Sequence, residues 1–315
     1  MRIGQNPAKF VNTVDHPQRI TAAVLSYIPF LSGFYAEALD VLRACMDSMR
    51  ADAGLPFDTM VFDNGSCREV REFLVAEEEA GRIQYLVLSE HNTGKGGAWN
   101  LMFGGAPGEI IAYCDSDVLF SPNWLKRSVE LLETFPNVGM VTARPFRTPP
   151  EFYGATLEWG RKEAELAAGG FLPWETFLEF NLSLGQSEEE NRKVYSETQD
   201  WRIVYKGMTA FVGGSHWQFT GWKRVLQRFL PFEMGKPMGE VRQLDRRVND
   251  AGLLRLMLPD PLAMNLSNTL GYLRGELGRG RQSERRSIEK LVLNFGPVRK
   301  ALLAIYNRIF RWYYA

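Results

Sequence analysis

Residues 113–119 read YCDSDVL, and the fold turns on how they are read. The apolar run Ile110-Ile111-Ala112-Tyr113-Cys114 leads straight into two aspartates, Asp115 and Asp117, and Ser121-Pro122 then opens a helical pattern over 123–134. A buried strand that ends in two like charges is unfavourable unless something positive shares their space. Hard divalent cations take oxygen ligands. Mg²⁺ or Mn²⁺ held by one or two carboxylates typically completes its shell with waters and phosphate oxygens. Residues i and i+2 project to the same side of an extended chain. The doublet therefore suggests a metal gripping a diphosphate. A lone D-x-D has a plainer reading, a solvated loop whose aspartate caps the next helix. Only the surroundings can favour the metal.

Those surroundings are regular. Upstream, ITAAVLSYI (20–28), DTMVF (58–62) and Ile83–Leu88 read as strands, and Val138–Thr142 follows downstream. Between them, Tyr35–Arg50, Arg68–Ala80, Gly97–Gly104 and Asn123–Thr134 carry helical spacing or length. Strands separated by helices imply βαβ units and a Rossmann-like, mostly parallel central sheet flanked by helices, an α/β fold. Ligands of such sheets sit beyond the carboxyl ends of the strands. Four polar clusters fall there: Ser26-Tyr27, Asp63-Asn64-Gly65-Ser66, His91 to Gly97, and Asp115-Ser116-Asp117. The second half is less regular. Residues 145–191 resist assignment, Trp201–Phe211 looks strand-like, Gly221–Phe229 helical, Glu240–Ala251 helical and Leu253–Leu258 a short strand.

Composition sets limits. The chain has 315 residues, 45% of them hydrophobic, enough for a substantial core. Its net charge of zero gives no argument for a nucleic-acid partner. Three cysteines without a CxxC suggest neither a disulfide framework nor a zinc site, and fit a reducing compartment. The first twenty residues lack the apolar core of a secretory signal, and no apolar run is long enough to span a bilayer. A cytoplasmic location is expected. Residues 271–315 hold ten Lys/Arg against three Glu, a basic and aromatic-rich tail behind a mildly acidic body.

In order and spacing, LSYIPF, FDNGS, NTGKGGAWN, YCDSD and the helix-like EVRQLDRRVNDAG make residues 20–270 resemble a family 2 glycosyltransferase of the GT-A fold. The resemblance implies a nucleotide-diphospho-sugar donor, a divalent metal (Mn²⁺ or Mg²⁺) and inversion of the anomeric centre. It puts a nucleotide-sugar half at about 20–145, an acceptor half at about 146–270 and a helical tail at 271–315. By position it assigns Ser26 and Tyr27 to the nucleotide, Asp63 to the base, and Asn92, Gly94, Lys95 and Asn100 to the donor phosphates and sugar. Asp115 would meet ribose or sugar, and Asp117 the metal. An ionised aspartate can accept from a ring N–H, and the place of Asp63 after a strand favours that role over merely closing a turn with Asn64-Gly65. Lys95 and the metal would neutralise charge on the leaving diphosphate.

Two departures stand out. An inverting transfer needs a base for the acceptor hydroxyl, and the family's Glu-Asp pair is Glu240-Val241 here. Asp245 lies one turn on, and either it or Glu240 can serve. Asp245 is preferred, since Glu240 can be a helix-N-terminal carboxylate favoured by the dipole. The family's metal-binding His is replaced by Asn265 in AMNLSNT, a weaker ligand. On the acceptor side, Trp174, His216 and Trp217 are the residues to test, because aromatic faces stack on sugar rings, although core packing is the ordinary role of such residues.

The tail from Leu291 to Ala315 reads either as an interfacial helix making peripheral membrane contact on the inner face, or as a helix docked on the chain's own body or a second subunit. The expected function is metal-dependent inverting transfer to a glycan or lipid-linked hydroxyl acceptor in cell-envelope polysaccharide biosynthesis. Two alternatives remain. One is a degenerate GT-A sugar-binding module without turnover. The other is a sugar-phosphate nucleotidyltransferase, against which residues 25–34 offer no Lys or Arg after the first strand.

Overall fold

The computed structural model describes residues 4–235 and 241–276, and at its centre lies β1 (Ile20–Ser26), seven residues all buried. An unbroken apolar run of this kind, without alternation, belongs to a strand covered on both faces. β1 pairs in parallel with β2 (Asp58–Asp63) on one side and β4 (Ile110–Asp115) on the other, and β2 pairs with β3 (Tyr85–Leu88). Three helices make the crossovers: α1 (Ala38–Ala51), α2 (Arg68–Glu79) and α3 (Gly94–Gly105).

Alternate residues serve opposite faces. Ala22, Val24, Ala112 and Cys114 join a core with Leu42, Met46 and Met49 of α1 and Leu74 of α2. Ala23, Leu25, Ile111 and Tyr113 meet Trp99, Met102 and Phe103 of α3. Two fully buried layers therefore fix the register of β1 and β4. With it, they fix where the ends of those strands emerge.

Downstream come β5 (Val118–Phe120), α4 (Trp124–Thr134), β6 (Val138–Thr142), α5 (Gly154–Glu163), β7 (Glu165–Gly169), α6 (Trp174–Ser183) and α7 (Glu188–Glu197). Then follow β8 (Asp200–Tyr205), β9 (Met208–Val212), β10 (Gln218–Trp222), the short α8 (Lys223–Leu226), α9 (Arg242–Asp250), β11 (Leu254–Met257) and β12 (Ala263–Asn265). The main sheet runs β3-β2-β1-β4-β10-β6-β11-β9-β8-β7, and β12 pairs with β5 in a small second sheet.

The α/β fold stands as expected, but the sheet is mixed rather than mostly parallel. β10 lies antiparallel between β4 and β6, and β9, β8 and β7 add antiparallel rungs. The run Trp201–Phe211 is a hairpin, β8 to β9, turning at Lys206 and Gly207, both with positive φ. Two such residues build the tight turn whose twist suits a hairpin. Residues 218–222, the last two of them expected to be helical, form β10, which fills the gap beside β4. Residues 1–275 form one unit, and all but the first residue of the second, 276–315, lie outside the described residues.

Candidate functional site

The carboxyl ends of β1, β2 and β4 open onto a cleft of about 230 Å³. Tyr27, Asn64, Asn92, Lys95, Asp115, Ser116 and Asp117 line it, together with Phe34, Tyr35, Ser267 and Asn268. Three of the four polar clusters singled out in the sequence thus supply its polar wall outright, and the β1 cluster contributes Tyr27.

Asn64 organises the loop before α3. Its amide oxygen accepts from Thr93 N at 2.8 Å and Thr93 Oγ1 at 3.0 Å, and its Nδ2 donates to Asn92 Oδ1 at 3.0 Å and Gly94 O at 3.3 Å. Asn92 in turn accepts from Gly94 N at 2.8 Å, with Gly94 in the left-handed region at φ +71. The glycines after Lys95 have a packing reason. A Cβ on Gly96 would stand 2.1 Å from Glu233 O, and one on Gly97 would stand 2.8 Å from Thr93 Cβ. Asn100 is a correction to the expected donor contacts. Its amide donates to Phe232 O at 3.0 Å and accepts from Phe232 N at 2.6 Å, and it does not line the cleft. It ties residues 230–235 to α3.

One residue back along the strands, Ser26 and Asp63 stand in register. Asp63 is fully buried. Its Oδ2 accepts from Ser66 N at 3.1 Å and pairs with Arg71 Nε at 3.3 Å, while Oδ1 has no partner, and neither has Ser26 Oγ. Buried polar atoms are nearly always hydrogen-bonded, so two orphans side by side at strand ends await a ligand or water.

The acidic doublet divides sharply. Asp115 accepts from Lys95 Nζ at 2.7 Å and from the Tyr113 hydroxyl at 2.6 Å, so the protein itself neutralises it. Asp117 has no such partner. Its Oδ1 is shielded from solvent and unbonded. Burial, and then the Asp115 charge, push its carboxyl up to about 7 against the opposing pull of Lys95 and the Asn265 amide. Asn265 reaches this place because β12 pairs it with Val118. Its Oδ1 already accepts from Ser267 N at 2.9 Å, which leaves it less free to ligate a cation than the sequence suggested. No group of three His, Cys, Asp or Glu capable of holding a metal occurs among the described residues. The donor set is hard oxygen, with a carboxylate oxygen left open, and that suits Mg²⁺ or Mn²⁺ completed by phosphate and water.

Two of the three acceptor-side residues, both tryptophans, go elsewhere. Trp217 stacks on Phe180 at 5.8 Å and is 9% exposed. Trp174 packs edge-on against Tyr195 at 5.2 Å, with the Arg192 guanidinium over its ring. Both indoles are engaged by the protein. Asp245, on α9, is buried with both oxygens occupied: Oδ2 against His216 Nδ1 at 2.7 Å and Oδ1 against Arg255 Nη2. A carboxylate so enclosed is poorly placed to take a proton from an incoming hydroxyl. Glu240 and residues 277–315, with the expected tail helix, lie outside the described residues. No helix among the described residues is long and apolar enough to cross a membrane.

Sequence reading missed Phe34, Tyr35, Ser267 and Asn268 in the lining. Ser267-Asn268 sat inside AMNLSNT, so a signal existed. Phe34 and Tyr35 had none, because they reach the cleft only through the turn that precedes α1.

Residues 33–182 match the family model Glycosyl transferase family 2. A stretch of 100 residues is 29% identical to an uncharacterized glycosyltransferase of Nostoc sp., covering 32% of this chain and 31% of the relative. Another of 103 residues is 33% identical to the succinoglycan biosynthesis protein ExoO of Rhizobium meliloti, covering 33% and 29%. The chain thus spans under a third of the length of either relative. Among solved structures, the mannosyltransferase PcManGT of Pyrobaculum calidifontis, in complex with GDP-Man and Mn²⁺, is similar at a TM-score of 0.49 and 17% identity, over 84% of this chain and 61% of that one. GalNAc-T7 with UDP, GalNAc and Mn²⁺ gives 0.49 and 10%, over 80% and 44%. Likenesses this loose add nothing to the topology, which by itself defines the α/β fold with its mixed sheet.

Proposed function

We propose, from the match of residues 33–182 to the family 2 glycosyltransferase model, that the chain moves a sugar from a nucleotide-diphospho-sugar to a hydroxyl acceptor, with inversion and with Mn²⁺ or Mg²⁺ bound at Asp117. The observation that carries this reading is the Asp117 carboxylate in the cleft at the strand ends, one oxygen of which has no hydrogen-bond partner, two residues from an aspartate already neutralised by Lys95.

In this reading Asp63 offers its free Oδ1 to a ring N–H of the base, and Ser26 its hydroxyl beside it. Tyr27 and Tyr35 form the apolar wall against which a nucleoside packs. Asp115, held by Lys95 and Tyr113, faces ribose or sugar hydroxyls with a fixed orientation. Lys95, 9% exposed, is a preorganised cation near charge that grows on the departing diphosphate. Asp117, with Asn265 beside it, would hold the metal, which when bound supplies Lewis-acid stabilisation of that diphosphate. A glycan or lipid-linked acceptor in polysaccharide assembly draws support from the succinoglycan relative.

A thermal-shift screen of UDP and GDP, each with and without Mn²⁺, tests the reading. A ligand that binds only the native state raises Tm by mass action. One nucleoside diphosphate should stabilise the chain, more with Mn²⁺ than without, and Asp117→Asn should abolish the metal increment. Equal shifts in both proteins would refute the metal assignment. Binding without donor turnover would make the chain a sugar-binding module instead.

A further inference from the structure

We propose that His216 is the general base of the transfer and that Asp245 is its positioning residue. The inference rests on the transferase reading above and deepens it.

His216 follows the Gly213-Gly214-Ser215 connection between β9 and β10. Trp217 O accepts from Asp115 N at 2.8 Å, so His216 stands one residue beyond that rung, level with the exit of β4 and its acidic doublet. Its side chain is 26% exposed, enough to present an edge to a hydroxyl. Nδ1 lies 2.7 Å from Asp245 Oδ2. An ionised carboxylate only accepts, so Nδ1 carries the hydrogen. In the neutral imidazole that leaves Nε2 with its lone pair, facing away from Asp245 and able to take a proton.

The support beneath is rigid and buried. Asp245 is 3% exposed and its other oxygen is held by Arg255. Arg255 is 1% exposed, donating also to Phe152 O at 2.8 Å and Gly214 O at 2.7 Å. Gly214 O is thus pinned two residues before His216. Close packing is built in here, since a Cβ on Gly213 would stand 2.4 Å from Thr148 Oγ1. A base needs a third group to orient it, and that logic recurs on unrelated folds. Here the order is Arg255, Asp245, His216, running from the core outward.

The step balances simply. The acceptor oxygen forms a bond to the anomeric carbon as the bond from that carbon to the diphosphate oxygen breaks. The hydroxyl proton passes to Nε2, and the resulting imidazolium is stabilised by Asp245.

The test uses the full chain in two arms. The sequence has three histidines, so ¹⁵N-labelled side chains give a readable spectrum. His216 should show the Nδ1–H tautomer, and Asp245→Asn should mix or invert it. A wild-type His216 protonated at Nε2 alone overturns the proposal whatever the donor. In the second arm, release of nucleoside diphosphate from UDP-glucose, UDP-N-acetylglucosamine and GDP-mannose is followed with Mn²⁺. His216→Asn, which keeps a donor toward Asp245, should lower kcat by roughly 100-fold or more with KM changed by less than about threefold. Imidazole should restore part of the rate to His216→Ala. A kcat within about threefold of wild type in His216→Asn, or rate loss in Glu240→Gln alone, overturns it. Failure of the underlying donor-site reading shows separately, as nucleotide binding unmoved by Asp63→Asn and Asp117→Asn.

Discussion

Two acidic places in this molecule, each with carboxylate oxygen shielded from solvent, are built on opposite plans. At the ends of β2 and β4, Asp63 and Asp117 each keep one oxygen without a partner. On α9, Asp245 has none to spare, with Arg255 on one oxygen and His216 on the other. Burial penalises a carboxylate in both places, and only the second offsets it on both oxygens. An incomplete shell is what a binding site looks like before its ligand arrives. A complete one rigidifies and orients. Two nearby groups of the same chemical type can therefore be assigned different work from their partners alone.

The largest effect expected from breaking this comparison lies on the closed side. Asp245→Ala would leave the Arg255 guanidinium buried and unpaired, already drawn below its ordinary range by desolvation that Asp245 only partly opposes. Removing one partner of a buried pair typically loses about 3–5 kcal/mol. Urea denaturation should show a loss of that size. Replacing both residues, Asp245→Leu with Arg255→Met, should recover much of it, because an apolar pair leaves no charge stranded. Equal losses in the single and double variants would mean that packing, not charge, governs this place.

On the open side, Asp63→Asn keeps the shape but puts an amide where an acceptor oxygen stood unbonded. A hydrogen bond to a charged group is worth about 1.5–3 kcal/mol, so the affinity for the preferred nucleoside diphosphate should fall by roughly 10- to 100-fold. Isothermal titration reads this directly, and an unchanged affinity would assign Asp63 to the turn with Ser66 and Arg71 alone.

Asp117 sharpens the contrast through pH. Its folded-state pKa is raised, to about 7 from 3.8, chiefly by burial and then by Asp115. A raised acid binds more protons folded than unfolded between those values, so its contribution favours folding at low pH and is lost as pH climbs toward 7. The loss should be on the order of 2 kcal/mol by pH 8 once solvent screening is allowed for. Asp117→Asn should flatten that decline in metal-free protein. Millimolar Mn²⁺ should flatten it in the wild type, because a bound cation favours the ionised form. A wild-type curve already flat without metal would show that Asp117 is solvated rather than withheld from water.

How much of this was legible beforehand follows the same divide between local and long-range causes. β1, β2 and β4 announce themselves as apolar runs ending in polar clusters, and the parallel βαβ rule carries those clusters to one edge. Asp115 and Asp117 could therefore be named from seven residues. What separates their roles is Lys95, twenty residues away, and Tyr113, whose hydroxyl reaches forward along its own strand to Asp115; neither follows from a doublet motif. The antiparallel insertion of β10 was hidden because Gly221 and its neighbours are pinned by tertiary pairing rather than local propensity. It is also what brings His216 to the exit of β4. Arg255 lay in a short strand whose apolar neighbours gave no hint of a buried cation.

Asn100 supplies the smallest effect and the control for the whole comparison. It sits in the second turn of α3, in a segment that the resemblance assigned to the donor, yet both ends of its amide close on the backbone of Phe232. That bond pair fastens residues 230–235 against Gly96, where the Glu233 carbonyl leaves no room for a Cβ. Asn100→Ala removes two neutral hydrogen bonds worth about 1 kcal/mol together after competition with water. The expected result is a Tm lower by a few degrees with nucleotide affinity unchanged within about twofold. Asp63→Asn should show the reverse pattern, with affinity lost and Tm nearly held. If Asn100→Ala weakened nucleotide binding as strongly as Asp63→Asn, the 230–235 segment would belong to the donor site, and the line drawn between open and closed polar groups would have to move.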